Sequence, residues 1–349
     1  MIEDVLKDWD GVGVVTAHDA PTGAWFFIAL HNATLGPMIG GTRLKVYDRP
    51  DDGLRDAMRL AEGMTHKWAA IGLEYGGGKG VIALARPLED GARAELFERW
   101  GRLIQSLRGS FQTGQDLGTT PEDMLSIARV TRFVHGIDHE AMRAVDPGPY
   151  TARGVFVGMR AAVRHACDGS GLAGRTVLIQ GVGDVGAPLA RLLAAEGATL
   201  LLSDVDEPRA RALAAELGGE TVPAQAVYDT GCDVYAPCAV GATVNADTIP
   251  RLRCRIVAGS ANNQLAELED AARLHARGIL YAPDYVINGG GATAFGHLAR
   301  GERDEATLMG TVERIEQVLE EIFREAAETN ESPAHAARRL VDTRLARRS

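Results

Sequence analysis

Apolar positions along the chain change rhythm near residue 150. Before that point, short β-rich runs at Val14-Val15-Thr16 and Trp25-Phe26-Phe27-Ile28-Ala29-Leu30 precede a stretch from about Gly53 to Lys67. In that stretch Leu54, Ala57, Met58, Ala61 and Met64 fall on one helical face. A further apolar run, Val81-Ile82-Ala83-Leu84, follows the glycines at 76 to 78, and a second helix pattern spans about Ala92 to Leu107. From about Thr151, strand-like runs alternate with helical segments: Thr176-Val177-Leu178-Ile179, Thr199-Leu200-Leu201-Leu202, Val234-Tyr235-Ala236, Arg255-Ile256-Val257-Ala258 and Ile279-Leu280-Tyr281-Ala282. Such alternation, with near-continuous apolar strands, predicts a parallel sheet covered by helices on both faces. Val312, Ile315, Leu319, Ile322 and Ala326 keep helical spacing, and Ser332-Pro333 reads as the N-cap and first-turn proline of a last helix.

Composition narrows the class. A length of 349 residues suits two domains of about 150 each. The 41 glycines and 14 prolines lack a period, which excludes collagen-like and low-complexity chains and points to many tight turns. With 37 basic and 47 acidic residues the formal net charge is −10, which argues against nucleic acid as a partner. No apolar run is long enough for a membrane span, and the first residues lack the basic-then-apolar order of a signal peptide, so a soluble cytoplasmic protein is expected. Cys167, Cys232, Cys238 and Cys254, spaced by 65, 6 and 16, match no zinc knuckle and fit reduced, buried thiols; no metal site is expected. Arg338, Arg339, Arg344, Arg347 and Arg348, set against Asp342, make the last helix a solvated face or a docking surface.

Gly181-Val182-Gly183-Asp184-Val185-Gly186 has the form GxGxxG, follows the strand ending at Ile179-Gln180 and opens an apolar helix. In that context the amides at the helix start would face a pyrophosphate. The next strand ends at Asp204, 23 residues beyond Gly181, where a carboxylate would accept from the adenine ribose hydroxyls and repel a 2′-phosphate. The cofactor expected is therefore NAD.

Two lysines and one aspartate stand apart. Lysine is scarce here, yet Lys67 ends an apolar helix face and Lys79 lies between Gly76-Gly77-Gly78 and a buried-looking strand. Those glycines make either a sharp turn with Lys79 reaching outward or a backbone that a ligand can approach closely. Asp116, in Thr113-Gly114-Gln115-Asp116-Leu117-Gly118-Thr119, is surplus to helix capping, because Thr120-Pro121-Glu122-Asp123 is the better N-terminal signal.

Across nearly its whole length the chain resembles the glutamate, leucine, phenylalanine and valine dehydrogenases. The motifs that carry the likeness, in order, are Gly40-Gly41-Thr42-Arg43, Met64-Thr65-His66-Lys67, Gly76-Gly77-Gly78-Lys79, Asp116-Leu117-Gly118-Thr119, Thr151-Ala152-Arg153-Gly154-Val155, the glycine fingerprint, Cys238-Ala239, Ala258 to Gln264 and Ala282 to Gly290. One departure is Ala85-Arg86-Pro87, where the family runs into an Asp-Pro. The resemblance implies reversible oxidative deamination of an L-amino acid to its 2-oxo acid and ammonium, with NAD as oxidant, in a homo-oligomer. It makes Lys79 the catalytic base, its charge disfavoured by Lys67 nearby, and Asp116 the carboxylate that binds ammonium and shuttles a proton. Lys67, Gly40 and Gly41 would hold the substrate carboxylate. Asn263 and Asn288 would lie near substrate and nicotinamide, and Thr151, Cys238 and Ala239 on the cofactor side. Ile39, Gly114, Ala292 and Phe295 would line the side-chain pocket, where small Gly114 and Ala292 leave room for an aromatic ring, phenylalanine first. Leucine, valine or tryptophan are alternatives, and an NAD-binding sensor is the non-enzymatic one.

Together these readings predict two α/β domains: a substrate and oligomerisation domain at 1–133 plus 326–349, and a doubly wound Rossmann domain at 134–325, with a cleft between them.

Overall fold

The computed structural model describes residues 6–7, 9–89, 91–167 and 171–347. Arg348 lies outside the described residues. Two compact units form, Met1–Asp146 with Phe295–Gly301 and Arg344–Ser349, and Pro147–Ala294 with Glu302–Thr343.

Unit one contains β1 (Gly13–Asp19), β2 (Ala24–Asn32), β3 (Met38–Ile39), β4 (Thr42–Val46), α1 (Pro50–Ile71), β5 (Gly76–Leu84), α2 (Arg93–Ser106), β6 (Phe111–Gln112), α3 (Pro121–Ala128), β7 (Ile137–Asp138) and β8 (Arg143–Ala144). β5 is the central strand, buried along its whole length. It pairs antiparallel with β2 on one side and parallel with β3 and β4, two successive segments of one stretch, on the other. Alternation along β2 and β5 sorts the core onto two faces. Phe27, Ala29, Val81 and Ala83 meet Leu54, Ala57 and Ala61 of α1, whereas Phe26, Ile28 and Ile82 meet Phe97, Trp100 and Ile104 of α2.

Gly76, Gly77 and Gly78 are neither a turn nor a surface opened to a ligand: they are strand residues that the protein itself packs against. A Cβ on Gly77 would lie 2.4 Å from the Thr65 amide nitrogen, one on Gly76 2.1 Å from the Asn32 carbonyl oxygen, and one on Gly78 2.9 Å from the Phe111 ring. The absent side chain at Gly77 thus lets α1 sit backbone-on-backbone over β5, while Gly76 and Gly78 admit β2 and β6.

Unit two contains α4 (Gly148–Ala166), β9 (Thr176–Gln180), α5 (Gly186–Ala195), β10 (Thr199–Ser203), α6 (Glu207–Leu217), β11 (Glu220–Thr221), β12 (Val234–Pro237), β13 (Ile256–Val257), α7 (Glu269–Ala276), β14 (Leu280–Tyr281), α8 (Asp284–Ile287), α10 (Glu305–Val312), α11 (Arg314–Thr329) and the first parts of α9 (Gly290–Ala299) and α12 (Pro333–Ala346), whose ends from Phe295 and Arg344 count with unit one. Its six parallel strands run in the order β11-β10-β9-β12-β13-β14. Counted within the unit this is 3-2-1-4-5-6, the doubly wound order whose direction reverses between β9 and β12. Arg153, Arg160 and Arg164 of α4 pair with Glu313, Glu316 and Glu320 to lock α4 against α11.

The division differs from the expected one at both ends. The β7–β8 hairpin stays with unit one because Ile137 belongs to its core and Ala144 packs against that core. The last helix goes mostly to unit two because Ala334 packs with Leu274 and Ile279. Its arginines are partly spent within the chain: Arg344 donates to the carbonyls of Ala69 and Ala70 at the end of α1, and Arg339 pairs with Glu325 and Glu331. Among the described residues no helix is long and apolar enough to cross a membrane.

The glycine contacts predict opposite signs for two Gly→Ala changes. Gly77→Ala should lower stability by about 1–3 kcal/mol through overpacking. Gly310→Ala, in α10 with open space around the new methyl, should raise it by about 0.4–1 kcal/mol. Urea midpoints check both; equal shifts would contradict this account of β5.

Candidate active site

Lys79 projects from β5 toward the α1 face, the side on which Val81 and Ala83 lie, and is 4% exposed. An ammonium there needs a counter-charge or must lose its proton. The counter-charge is Asp116, with Nζ 3.1 Å from Oδ2. Asp116 stands on the loop after β6, where its amide donates to Thr119 Oγ1 at 2.9 Å and the same hydroxyl donates to the Thr42 carbonyl. Gly118, at φ 80°, turns the loop so closely that a Cβ would be 1.9 Å from the Leu44 carbonyl oxygen. Thr120 and Asp123 form the capping box of α3, so Asp116 has no capping duty.

A third group completes the cluster. Arg43 Nε donates to the same Asp116 Oδ2 at 3.1 Å, and its Nη1 donates to Asp56 Oδ2 at 2.9 Å. Burial pushes the Asp116 carboxyl up, but Lys79 and then Arg43 outweigh it and bring it down to about 2. Burial pushes Lys79 below the ordinary lysine range; Asp116 opposes this and Arg43 adds to it. Arg43 therefore takes the part of repelling cation that was expected of Lys67. The site thus sets a carboxylate held low beside an amine whose charge burial and Arg43 disfavour.

Gly40 and Gly41 join β3 to β4 and close the same corner. The Gly40 amide already donates to the Gln112 carbonyl at 3.2 Å, and a Cβ on Gly41 would meet Asp116 Cβ at 2.8 Å. Their first role is to let three backbones converge on Asp116. Lys67 lies on the last turns of α1, next to Trp68, whose Nε1 donates to the Ile39 carbonyl at 3.0 Å. Ile39 pairs with Gln112 across β3 and β6, and Gln112 Oε1 is 2.7 Å from His135 Nε2. His135 lies edge-on to Tyr75, and Tyr75 edge-on to Trp68. Burial pushes the His135 imidazolium down to about 4, so this ring is neutral. A Cβ on Gly114 would meet nothing nearer than His135, at 3.7 Å, and Phe295 packs on the adjacent Gly136. Gly114 thus lies against His135 and Phe295 against the next residue, Gly136, while Ile39 is linked to His135 through Gln112. Ala292 precedes Phe295 on α9 but belongs to unit two.

In unit two the glycine turn sits at the reversal point of the sheet. A Cβ on Gly186 would lie 1.9 Å from the Gly181 carbonyl oxygen, while Gly183 has nothing within 4 Å, so the turn is tight on its inside and open at the helix start. Cys238 and Ala239, just after β12, pack on Gly181 and Gly186. Asp204 Oδ2 accepts from the Val182 amide at 2.8 Å, bracing the turn, and Oδ1 accepts from the Asp206 amide and from Arg209 at 2.9 Å each. Thr151 packs against Gly291 of α9. Asn288 donates to the Ser260 carbonyl at 3.2 Å and to Asn262 Oδ1 at 2.8 Å. Asn263 is exposed, at φ 50°. The tight turn, open helix start and nearby carboxylate fit a dinucleotide. Among the described residues no cluster of metal-ligating side chains occurs.

Comparison with known proteins matches residues 20–133 to the Glu/Leu/Phe/Val dehydrogenase dimerisation domain and residues 201–345 to the glutamate/leucine/phenylalanine/valine dehydrogenase model. The leucine dehydrogenase of Bacillus cereus is 41% identical over 345 residues, covering 99% of this chain and 93% of that one. The chain belongs to the Glu/Leu/Phe/Val dehydrogenase family. It is an amino-acid dehydrogenase, an oxidoreductase of the CH–NH2 group. The phenylalanine dehydrogenase of Lysinibacillus sphaericus is 39% identical, covering 90% of this chain and 83% of the relative. The crystal structure of L-tryptophan dehydrogenase from Nostoc punctiforme superposes with a TM-score of 0.83 at 36% identity, covering 99% and 98%.

Sequence reasoning about this dehydrogenase missed Arg43, Asp56, His135 and Arg209. Arg43 stood within Gly40-Gly41-Thr42-Arg43 with nothing local to mark its role, and the other three carried no local signal.

Because the folded Asp116 titrates near 2, below its ordinary 3.8, its stabilisation is present above the ordinary value and fades as pH falls through the folded one. Asp116→Asn should therefore cost about 2 kcal/mol, by a gap in urea midpoint that is flat from about pH 5 to 8 and closes below about pH 4. A gap that widens with acid would contradict the assignment.

Proposed function

We propose that this dehydrogenase catalyses the reversible, NAD-dependent oxidative deamination of an L-amino acid with a bulky apolar side chain, L-phenylalanine first, giving the 2-oxo acid and ammonium. One observation carries this reading: a buried lysine with a depressed pKa held 3.1 Å from an aspartate whose carboxyl is itself held low. Bound NAD supplies the hydride acceptor for the substrate Cα. Lys67 would hold the substrate carboxylate by charge-assisted hydrogen bonds. Asp116 would hold the substrate ammonium and relay the one proton it must shed to solvent, leaving the neutral amine from which hydride departs as the imine forms. Neutral Lys79 would take the proton from the water that attacks the imine carbon, and return one to the departing amine.

For the cofactor, the Gly181 to Gly186 turn would hold the pyrophosphate at the start of α5, with the backbone of Gly183, Asp184 and Val185 on its open side. Asp204 would receive the ribose hydroxyls and disfavour a 2′-phosphate. Arg209, a cation beside that carboxylate, works in the opposite direction. Binding of NADPH as tight as that of NADH would overturn the reading of Asp204. The match to a dimerisation domain supports a homo-oligomer.

For the substrate, the missing side chain at Gly114, where a Cβ would only touch His135 at ordinary van der Waals distance, supports an aromatic side chain. The likeness to a leucine dehydrogenase supports leucine as the second reading.

NADH formation from L-phenylalanine, L-tryptophan, L-leucine, L-valine and L-glutamate tests both. Lys79→Ala should lose turnover by at least about 10²–10⁴-fold on every substrate. Gly114→Val should fold normally and lower the phenylalanine-to-leucine ratio of kcat/KM by about 10–200-fold, as filling a pocket by a few methyl groups does. An active Lys79→Ala enzyme would sink the mechanism, and an unchanged ratio would sink the pocket.

A further inference from the structure

The Lys79–Asp116 pair does not stand alone, and its third member has a geometry of its own. Arg43 lies on β4 opposite Val81 of β5, two residues along from Lys79 and on the same face of the sheet. Its guanidinium reaches in two directions. Nε grips Asp116 Oδ2, the oxygen that Lys79 also grips, and Nη1 grips Asp56 of α1. Asp56 is in turn fixed by the Tyr47 hydroxyl at 2.7 Å and by Arg59 at 2.8 Å. Arg43 and Asp56 side chains are 13% and 14% exposed, so the contact is well shielded from solvent, unlike a surface ion pair.

Resting on the reading of Lys79 as the base, we propose that Arg43 is a positioning residue of the reaction: anchored through Asp56 and Tyr47, it holds Asp116 Oδ2 toward Lys79 and leaves Oδ1 for the substrate ammonium. Among the described residues Oδ1 accepts no hydrogen bond, so the carboxylate presents one engaged oxygen and one available one. A planar guanidinium donating along two edges fixes the carboxylate in a way that a lysine in its place would not.

The arrangement also sets the charge at Lys79. Charged and titratable groups on the elements around it include Asp116 on the loop, Arg43 on β4, Asp56 and Lys67 on α1 and His31 on β2. Of these, burial first, then Asp116, Arg43 and Asp56 govern its ionisation: Arg43 pushes it down, and Asp116 and Asp56 pull it up. Removing the two members of the Arg43–Asp56 pair one at a time must therefore move Lys79 in opposite directions. Loss of packing alone has no reason to do that.

The chain has four lysines, Lys7, Lys45, Lys67 and Lys79. Selective labelling of lysine Cε with ¹³C gives few resonances, and Lys79→Arg assigns the one that matters. Its pH titration needs no turnover. Arg43→Gln should move the Lys79 midpoint up, and Asp56→Asn should move it down. Arg43→Lys, which keeps the charge and loses the fork, should leave the midpoint near that of the wild type while kcat falls by about 10²-fold, the cost of a misplaced group. Midpoints that stay put, or move the same way in Arg43→Gln and Asp56→Asn, would overturn the proposal, as would full kcat in Arg43→Lys. If the midpoints shift as stated but no amino acid is oxidised by the wild type, the failure belongs to the proposed reaction and not to the Arg43 linkage.

Discussion

An ammonium group in the middle of a fully buried strand is the constraint around which unit one is organised. Lys79 has apolar neighbours along β5 and a helix laid directly over it, so its charge is costly unless a partner is within hydrogen-bond reach. Asp116 is that partner, and a carboxylate brought so deep must itself be held by its loop and by Arg43. Much of the surrounding sequence follows from these demands. The glycines at 40, 41 and 76 to 78 remove the side chains that would keep β3, β5, α1 and the Asp116 loop apart. The outcome is a balance in which burial and Arg43 together prevail over Asp116 at Lys79, while the two cations together prevail over burial at Asp116. One oxygen-to-nitrogen contact thereby separates a base from a fixed anion, the division of labour that amine chemistry needs.

Unit two solves a different problem with ordinary means. Its doubly wound sheet reverses direction between β9 and β12, and there the loop after β12 packs on the glycine turn while the start of α5 stays open at Gly183. Asp204 has a structural task in addition to any ligand it meets, because it accepts the amide of Val182 within the turn. The carboxylate therefore shapes the turn whether or not a nucleotide is bound, and its pairing with Arg209 leaves the local charge closer to neutral than the motif alone implies.

The legible and illegible parts of this molecule divide along physical lines. The parallel sheet of unit two was readable because buried strands separated by helices write continuous apolar runs, and GxGxxG in that frame fixes the turn. In unit one the helices were readable from periodicity, with α1 running a few residues beyond each predicted end. The strands β3, β4 and β6 were not, because pairs of residues at 38–39 and 111–112 carry no period at all. The glycines before Lys79 were misread as a turn or a ligand surface: local sequence shows flexibility, and the close approach of α1 that uses it comes from residues twelve or more positions away. Lys79 and Asp116 were found as residues out of place. Arg43, Asp56 and His135 were not, since each becomes distinctive only through neighbours that folding supplies.

The central claim is that the group which must lose a proton for reaction is a cationic amine in a dry site. The most direct measurement is the acid limb of kcat/KM against pH for the preferred amino acid, in water and with added organic cosolvent. A neutral acid creates charge when it ionises, so a less polar solvent raises its pKa, whereas a cationic acid only hands its charge on. The account predicts a limb below the ordinary lysine value of 10.5 that stays in place when cosolvent is added. A limb that moves upward with cosolvent would identify a carboxylic acid as the titrating group and contradict the assignment of Lys79.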